Sequence, residues 1–135
     1  MFKHILVPIA PGDAERSIES VKLAKRILSD GGKISAVSVL EVPPAYIADY
    51  LGEADAKQVR EREENRMKLE LNAIAETEVH IVQGHPARQI LDEAAKLKVD
   101  CIVIASHRPG PRDFLIGSTA SRVVRRASCS VVVAR

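Results

Sequence analysis

The segment "IGSTASRVVRRA" places Gly117, Ser118 and Thr119 where a helical apolar period begins. A helix starting there presents unpaired backbone N–H groups and the positive end of its dipole. Gly117 has no side chain to keep a ligand off that backbone, and the two hydroxyls can donate to an anion. That is the chemistry of a phosphate site. The same three residues also suit an ordinary Ser/Thr helix cap after a glycine, so both readings stand on the residues alone. Ahead of them runs "ASHRPGPRD", which holds His107, Arg108 and Arg112. Arg108 is either a solvated surface arginine or a guanidinium that clamps phosphate oxygens through paired hydrogen bonds. Arg112 is a second candidate of the same kind, and His107 is a candidate hydrogen-bond donor.

No other constellation reaches the standard of a catalytic set. Ser106 and His107 are adjacent, but no orienting acid can be assigned to them. His80 and His85 lack a metal-ligand spacing. Glu61, Glu63 and Glu64 fall in a charge-rich stretch, "KQVREREENRMKLE", that reads as a solvated helix face. Arg122, Arg125 and Arg126 lie on the polar side of the last helix. Neither GxxxxGK[ST] nor GxGxxG after the first strand is present, which excludes a Walker-type NTPase and an ordinary dinucleotide binder. Cys101 and Cys129 sit in or beside apolar segments without CxxC spacing and read as buried reduced thiols.

These residues must be held by a scaffold, and its pattern is regular. The chain has 135 residues, 46% of them hydrophobic, which suits one folded domain over residues 1–135. With 3% aromatics and no Trp the core must be aliphatic. A net charge of +2 argues against a nucleic-acid partner, and no apolar run approaches a bilayer span. The N-terminus reads as a strand rather than a leader, so the expected location is cytoplasmic. Strands are expected at His4–Ala10, Lys33–Val42, Glu78–Gly84, Asp100–Ala105 and in "CSVVVAR". Between them lie a helix from Asp13 burying Ile18, Val21, Ala24 and Leu28, and a long exposed helix near Tyr50–Ala75. A third helix, opened by Pro86, buries Ala87, Ile90, Leu91, Ala94 and Leu97. The last helix buries Ala120, Val123, Val124 and Ala127. Gly31 is the expected left-handed stop of the first helix.

Strand and helix alternate to the end, and "CIVIA" and "SVVVA" lack period-two alternation. Both facts indicate an α/β fold, a parallel sheet covered by helices on both faces. Ligands in such folds sit beyond the carboxyl ends of the strands, where strand order reverses. The loops Ala10–Asp13, Glu41–Pro44 and Ser106–Gly117 are therefore the places to look.

Four separated segments, "ILVPIA", "VQGHPARQIL", "IVIASHRP" and "LIGSTASRVVRRASCSVVVAR", resemble the universal stress protein family, in order and over the whole chain. The wording "ASHRP…LIGS" is similar to its short bacterial single-domain branch. The resemblance implies a five-stranded parallel sheet of the Rossmann-like, adenine-nucleotide alpha-hydrolase-like kind, with strand order 3-2-1-4-5. It also implies ATP as ligand, with magnesium left open. The family pattern Gly-x2-Gly-x9-Gly-(Ser/Thr) falls on Ala105, Arg108, Gly117 and Ser118, so two glycines are replaced and the last spacer is one residue short. Ala10 stands where an Asp commonly follows the first strand, and Asp13 lies three residues on. The implied nucleotide site is Pro8, Ile9, Ala10, Val39, Ile104, Ala105, His107, Arg108, Gly117, Ser118, Thr119 and Ala120. Within it the Val39 backbone holds the adenine edge.

The closing strand Ser130–Ala134 is apolar on both faces, so at a sheet edge it would need a cover. Pairing with the same strand of a second copy supplies one with two-fold symmetry, and the resemblance implies such a homodimer. The leading expectation is a non-enzymatic, ATP-binding stress-response protein with no nucleic-acid or membrane partner. Its rivals are a slow ATPase and a dimeric module without nucleotide.

Overall fold

The computed structural model describes residues 1–11, 13–41, 46, 50, 52–106 and 116–135. Five strands alternate with four helices among them. They run β1 (Phe2–Ile9), α1 (Ala14–Ile27), β2 (Leu28–Leu40), α2 (Glu53–Asn72) and β3 (Thr77–Gln83). Then follow α3 (Pro86–Leu97), β4 (Cys101–Ala105), α4 (Ser118–Arg126) and β5 (Ser130–Ala134). All pairings are parallel, and the sheet order is β3-β2-β1-β4-β5. The α/β class and the strand order are those expected.

Alternation along the central strands builds two aliphatic layers. Ile5, Val7 and Ile9 of β1 face one way and meet Val21 and Ala24 of α1 and Met67 and Leu71 of α2. Leu6 faces the other way and joins Val37, Val39, Ile102 and Ile104 beneath Ala87, Ile90 and Ala94 of α3 and Ala120 and Val123 of α4. Burial on both faces explains why these strands show no polar period.

Three element expectations need correction. The first helix ends at Ile27, and Leu28, expected on its buried face, is its C-cap with φ −75° and ψ 135°. The chain turns straight into β2, because Leu28 already pairs with Phe2. Between that pair and His4↔Lys33 the register slips, and Gly31, with φ +73°, sits inside the irregularity rather than capping the helix. Val124 is 43% exposed instead of buried, since α4 contributes only Ala120 and Val123 to the fully buried layer. Cys101 is buried as expected, whereas Cys129 is only half-buried, and both are free thiols.

The last strand lies at the sheet edge, with four of its five residues half-buried. No helix among the described residues is long and apolar enough to cross a membrane.

Candidate nucleotide site at the carboxyl ends of the strands

Strand order reverses between β1 and β4: the chain builds β2 and β3 outward on one side, then crosses to β4 and β5 on the other. The two central strands are in register only at Ile5↔Cys101 and Leu6↔Ile102. Beyond that point they part, and a cavity of about 810 Å³ opens over their carboxyl ends. That size lies within the usual range for a small-molecule site.

Ten of the expected residues line it: Pro8, Ile9, Ala10, Val39, Ile104, Ala105, Gly117, Ser118, Thr119 and Ala120. His107 and Arg108, with Arg112, lie outside the described residues. Pro8 and Ile9 come from the end of β1, Val39 from the end of β2, and Ile104 and Ala105 from the end of β4. The wall made by the strand ends is apolar for the same reason the sheet is: these are the last residues of strands buried on both faces.

The helix start differs from an ordinary serine cap. Gly117 itself is the N-cap of α4, with φ −60° and ψ 157°, so the cap residue has no side chain to offer the first-turn N–H groups. Ser118 and Thr119 are the first two helical residues, so their hydroxyls do not take that role. Ser121 N donates to Gly117 O at 2.8 Å, which begins the helical ladder. Gly117, Ser118, Thr119 and Ala120 line the cavity, and a helix start leaves its first N–H groups without intrahelical partners.

A second hollow of about 560 Å³ continues from this point, lined by Glu41, Gly84, His85, Pro86, Ser118, Thr119 and Arg122. Gly84 N donates to Leu40 O at 3.0 Å, which ties the ends of β3 and β2 together. Its φ of +143° lies in the region that favours glycine. Arg122 Nη1 lies 2.9 Å from His85 Nε2. Arginine has no acceptor, so Nε2 accepts and the ring proton is on Nδ1.

Several lining residues were not expected from sequence: Arg16, Ser17 and Ser20 of α1 and Val59 of α2; Asp13, Glu41 and Ser106 lie in the loops where a ligand was expected. Asp13 caps α1, accepting from Arg16 N at 3.4 Å, and Ser17 Oγ donates to Asp13 O at 2.7 Å. The signal available was a carboxylate three residues before an arginine at a helix start directly after β1.

Asp13 and Glu41 are the carboxylates of the described lining, and the described residues hold no group of three His, Cys, Asp or Glu placed for a metal ion. Burial pushes the Cys101 thiol up to about 11, and burial also raises Cys129. Both stay protonated at neutral pH, so neither is poised as a nucleophile.

A parallel sheet wound in both directions from β1, with a crevice ending on a glycine-capped helix start, defines a Rossmann-like α/β protein. The chain belongs to the universal stress protein family, whose sequence profile matches residues 1–135. It is 29% identical over 138 residues to a universal stress protein of Thermus aquaticus, covering all of both chains. It is 27% identical over 143 residues to Universal stress protein G of Shigella flexneri, again over the full length of both. Among solved structures it resembles universal stress protein UspA from Lactobacillus plantarum, at 26% identity and a TM-score of 0.70, covering 98% of this chain and 97% of that one. Two further structural relatives were solved with nucleotides. A universal stress protein in complex with cAMP has a TM-score of 0.64, 19% identity and coverage of 99% and 97%. One from Archaeoglobus fulgidus in complex with dAMP has a TM-score of 0.62, 20% identity and coverage of 97% and 96%.

Proposed function

We propose that this protein binds an adenine nucleotide, ATP by family resemblance, in the crevice between β1 and β4. It acts as a dimeric, nucleotide-responsive regulatory or protective protein under stress. The observation that carries this is the start of α4. Its N-cap is a glycine, which has no cap side chain, and its first residues line an apolar cavity of about 810 Å³. An apolar slot suits a base, and open N–H groups at its end suit phosphates. The base lies between the ends of β1 and β2, against Pro8, Ile9 and Val39, and the phosphates lie on Gly117, Ser118 and Thr119. The cAMP and dAMP complexes of structural relatives support an adenine ligand. The edge position of β5 supports dimer formation through Ser130–Ala134.

Native mass spectrometry of the purified protein, followed by ATP titration, tests both parts at once. The expected species is a dimer of 14.7 kDa chains carrying one adenine nucleotide per chain. No binding at millimolar ATP sinks the nucleotide reading and favours a dimeric module without ligand. Ala10 and Ala105, where the family pattern has Asp and Gly, are the residues that would explain that outcome. Steady ADP release that tracks the protein would instead make it a slow ATPase.

A further inference from the structure

One wall of the cavity is charged, and no part of the family's glycine pattern accounts for it. Arg16, in the first turn of α1, donates through Nη1 to the carbonyl oxygen of Ser106. Its Nε lies 3.5 Å from Asp13 Oδ2, and its side chain is only 24% exposed. The two residues are 90 apart in sequence. Their bond therefore spans the crevice, from the helix that follows β1 to the end of β4, the two strands that part there. Among the described lining residues of the main cavity, Arg16 is the one Lys or Arg.

Its resting partners are poor matches for its chemistry. A guanidinium is best satisfied by an anion that accepts two parallel N–H bonds. The Ser106 carbonyl is neutral and takes one. The Asp13 carboxylate is held back by its capping bond to the Arg16 backbone, and its distance from Nε is longer than a close charged hydrogen bond. Arg16 is thus oriented into the site but incompletely neutralised.

We infer that Arg16 reads the phosphate chain of the ligand. In the free protein it rests on Ser106 and Asp13. When a nucleoside polyphosphate enters, the guanidinium turns to phosphoryl oxygens, which carry more charge than a carbonyl and accept in pairs. Asp13 is the built-in competitor that tempers this affinity. The inference rests on the nucleotide reading above and adds a specificity residue to it: Arg16 of α1 makes the site favour polyphosphates over nucleosides.

Calorimetric titration with adenosine, AMP and ATP at fixed ionic strength tests it on four proteins: wild type, Arg16→Ala, Arg16→Lys and Asp13→Asn. Wild-type affinity rises from adenosine to ATP. Arg16→Ala lowers ATP affinity roughly ten- to hundredfold and leaves adenosine unchanged. Arg16→Lys recovers part of the loss, because it keeps the charge without the fork. Asp13→Asn keeps the helix cap, since Asn caps as well as Asp, and raises ATP affinity without changing adenosine. Equal losses for adenosine and ATP in Arg16→Ala, together with a lower thermal midpoint, overturn the inference and leave Arg16 a structural tie between α1 and β4. So does a fall in ATP affinity in Asp13→Asn. Adenosine binding with no gain toward ATP in wild type overturns this inference alone, whereas failure of all three ligands overturns the nucleotide reading on which it rests.

Discussion

The two ends of the sheet treat their backbone groups in opposite ways. At the amino end, polar groups are paired across strands. Asp100 accepts from Lys3 N at 2.9 Å and His4 N at 3.0 Å, and its own N–H returns a bond to His4 O at 3.0 Å. The His4 ring meets Ser35 Oγ at 2.8 Å, and Lys33 pairs with Glu78 at 3.1 Å. These contacts fasten β3, β2, β1 and the start of β4 side by side. At the carboxyl end, β1 and β4 part after two paired positions, and the N-cap of α4 is a glycine without a cap side chain. Side chains tie the strands together at one rim, while a cavity opens between them at the other. Under the proposed function, the difference separates stability from binding along the same strands: a residue at the lower rim acts on the fold, and one at the upper rim acts on a ligand.

The sharpest way to break that division is Gly117→Glu. A carboxylate at the N-cap of α4 occupies the place of a phosphate and repels another, so ATP affinity falls roughly a hundredfold or more. Any residue adopts the backbone conformation of Gly117, so the thermal midpoint stays near wild type. Unfolding of the variant together with loss of binding would show that the upper rim also carries stability.

Asp100→Ala is the mirror experiment. It removes two N–H acceptors at an exposed rim and costs about 1 kcal/mol in denaturant unfolding, with ATP affinity unchanged. It also alters the acid limb. Hydrogen bonds from the Lys3 and His4 N–H groups hold the Asp100 carboxyl below its usual 3.8. Its contribution is therefore complete above that value and is lost as pH falls through the lowered one. The variant should lose less stability than wild type on acidification below pH 3.8. A parallel acid limb would remove Asp100 from the account.

The smallest effect is expected of His4→Gln. Burial, and then the Lys33 charge, lower the His4 imidazole below its usual 6.5. The unfolded ring takes up a proton as pH falls through 6.5, while the folded ring resists, so wild-type stability declines below that pH. Gln flattens this decline and leaves nucleotide binding alone. A pH profile identical to wild type would place the decline elsewhere.

The upper rim was legible in the sequence to the extent that it is made of strand ends. Aliphatic runs located the strands, the family resemblance singled out Ile9, Val39 and Ile104 at their ends, and the glycine before α4 located the helix start. The α1 residues of the rim were not legible. Arg16 in a helix's first turn looks like any solvated arginine, and it meets Ser106 only because the sheet brings positions 90 apart together. Local pattern carries no such information. The early start of β2 escaped for a related reason. "LSDGG" has no strand propensity of its own, and pairing with Phe2 extends it. Val124 was misplaced because a nine-residue helix presents a narrower stripe to the sheet than its apolar period suggests.

The long helix α2 is held by its second half alone. Met67 and Leu71 are its buried residues, and Glu63, bonded to Ser38, anchors the middle. Every residue from 53 to 62 is exposed. Exposed positions of this kind tolerate substitution at a cost within about half a kcal/mol. Apart from Val59, which lines the cavity, the sequence of that half-helix is therefore free to drift while the core stays fixed, and this surface borders the candidate site. A lineage can rewrite what the protein touches, one charge at a time, without renegotiating how it folds.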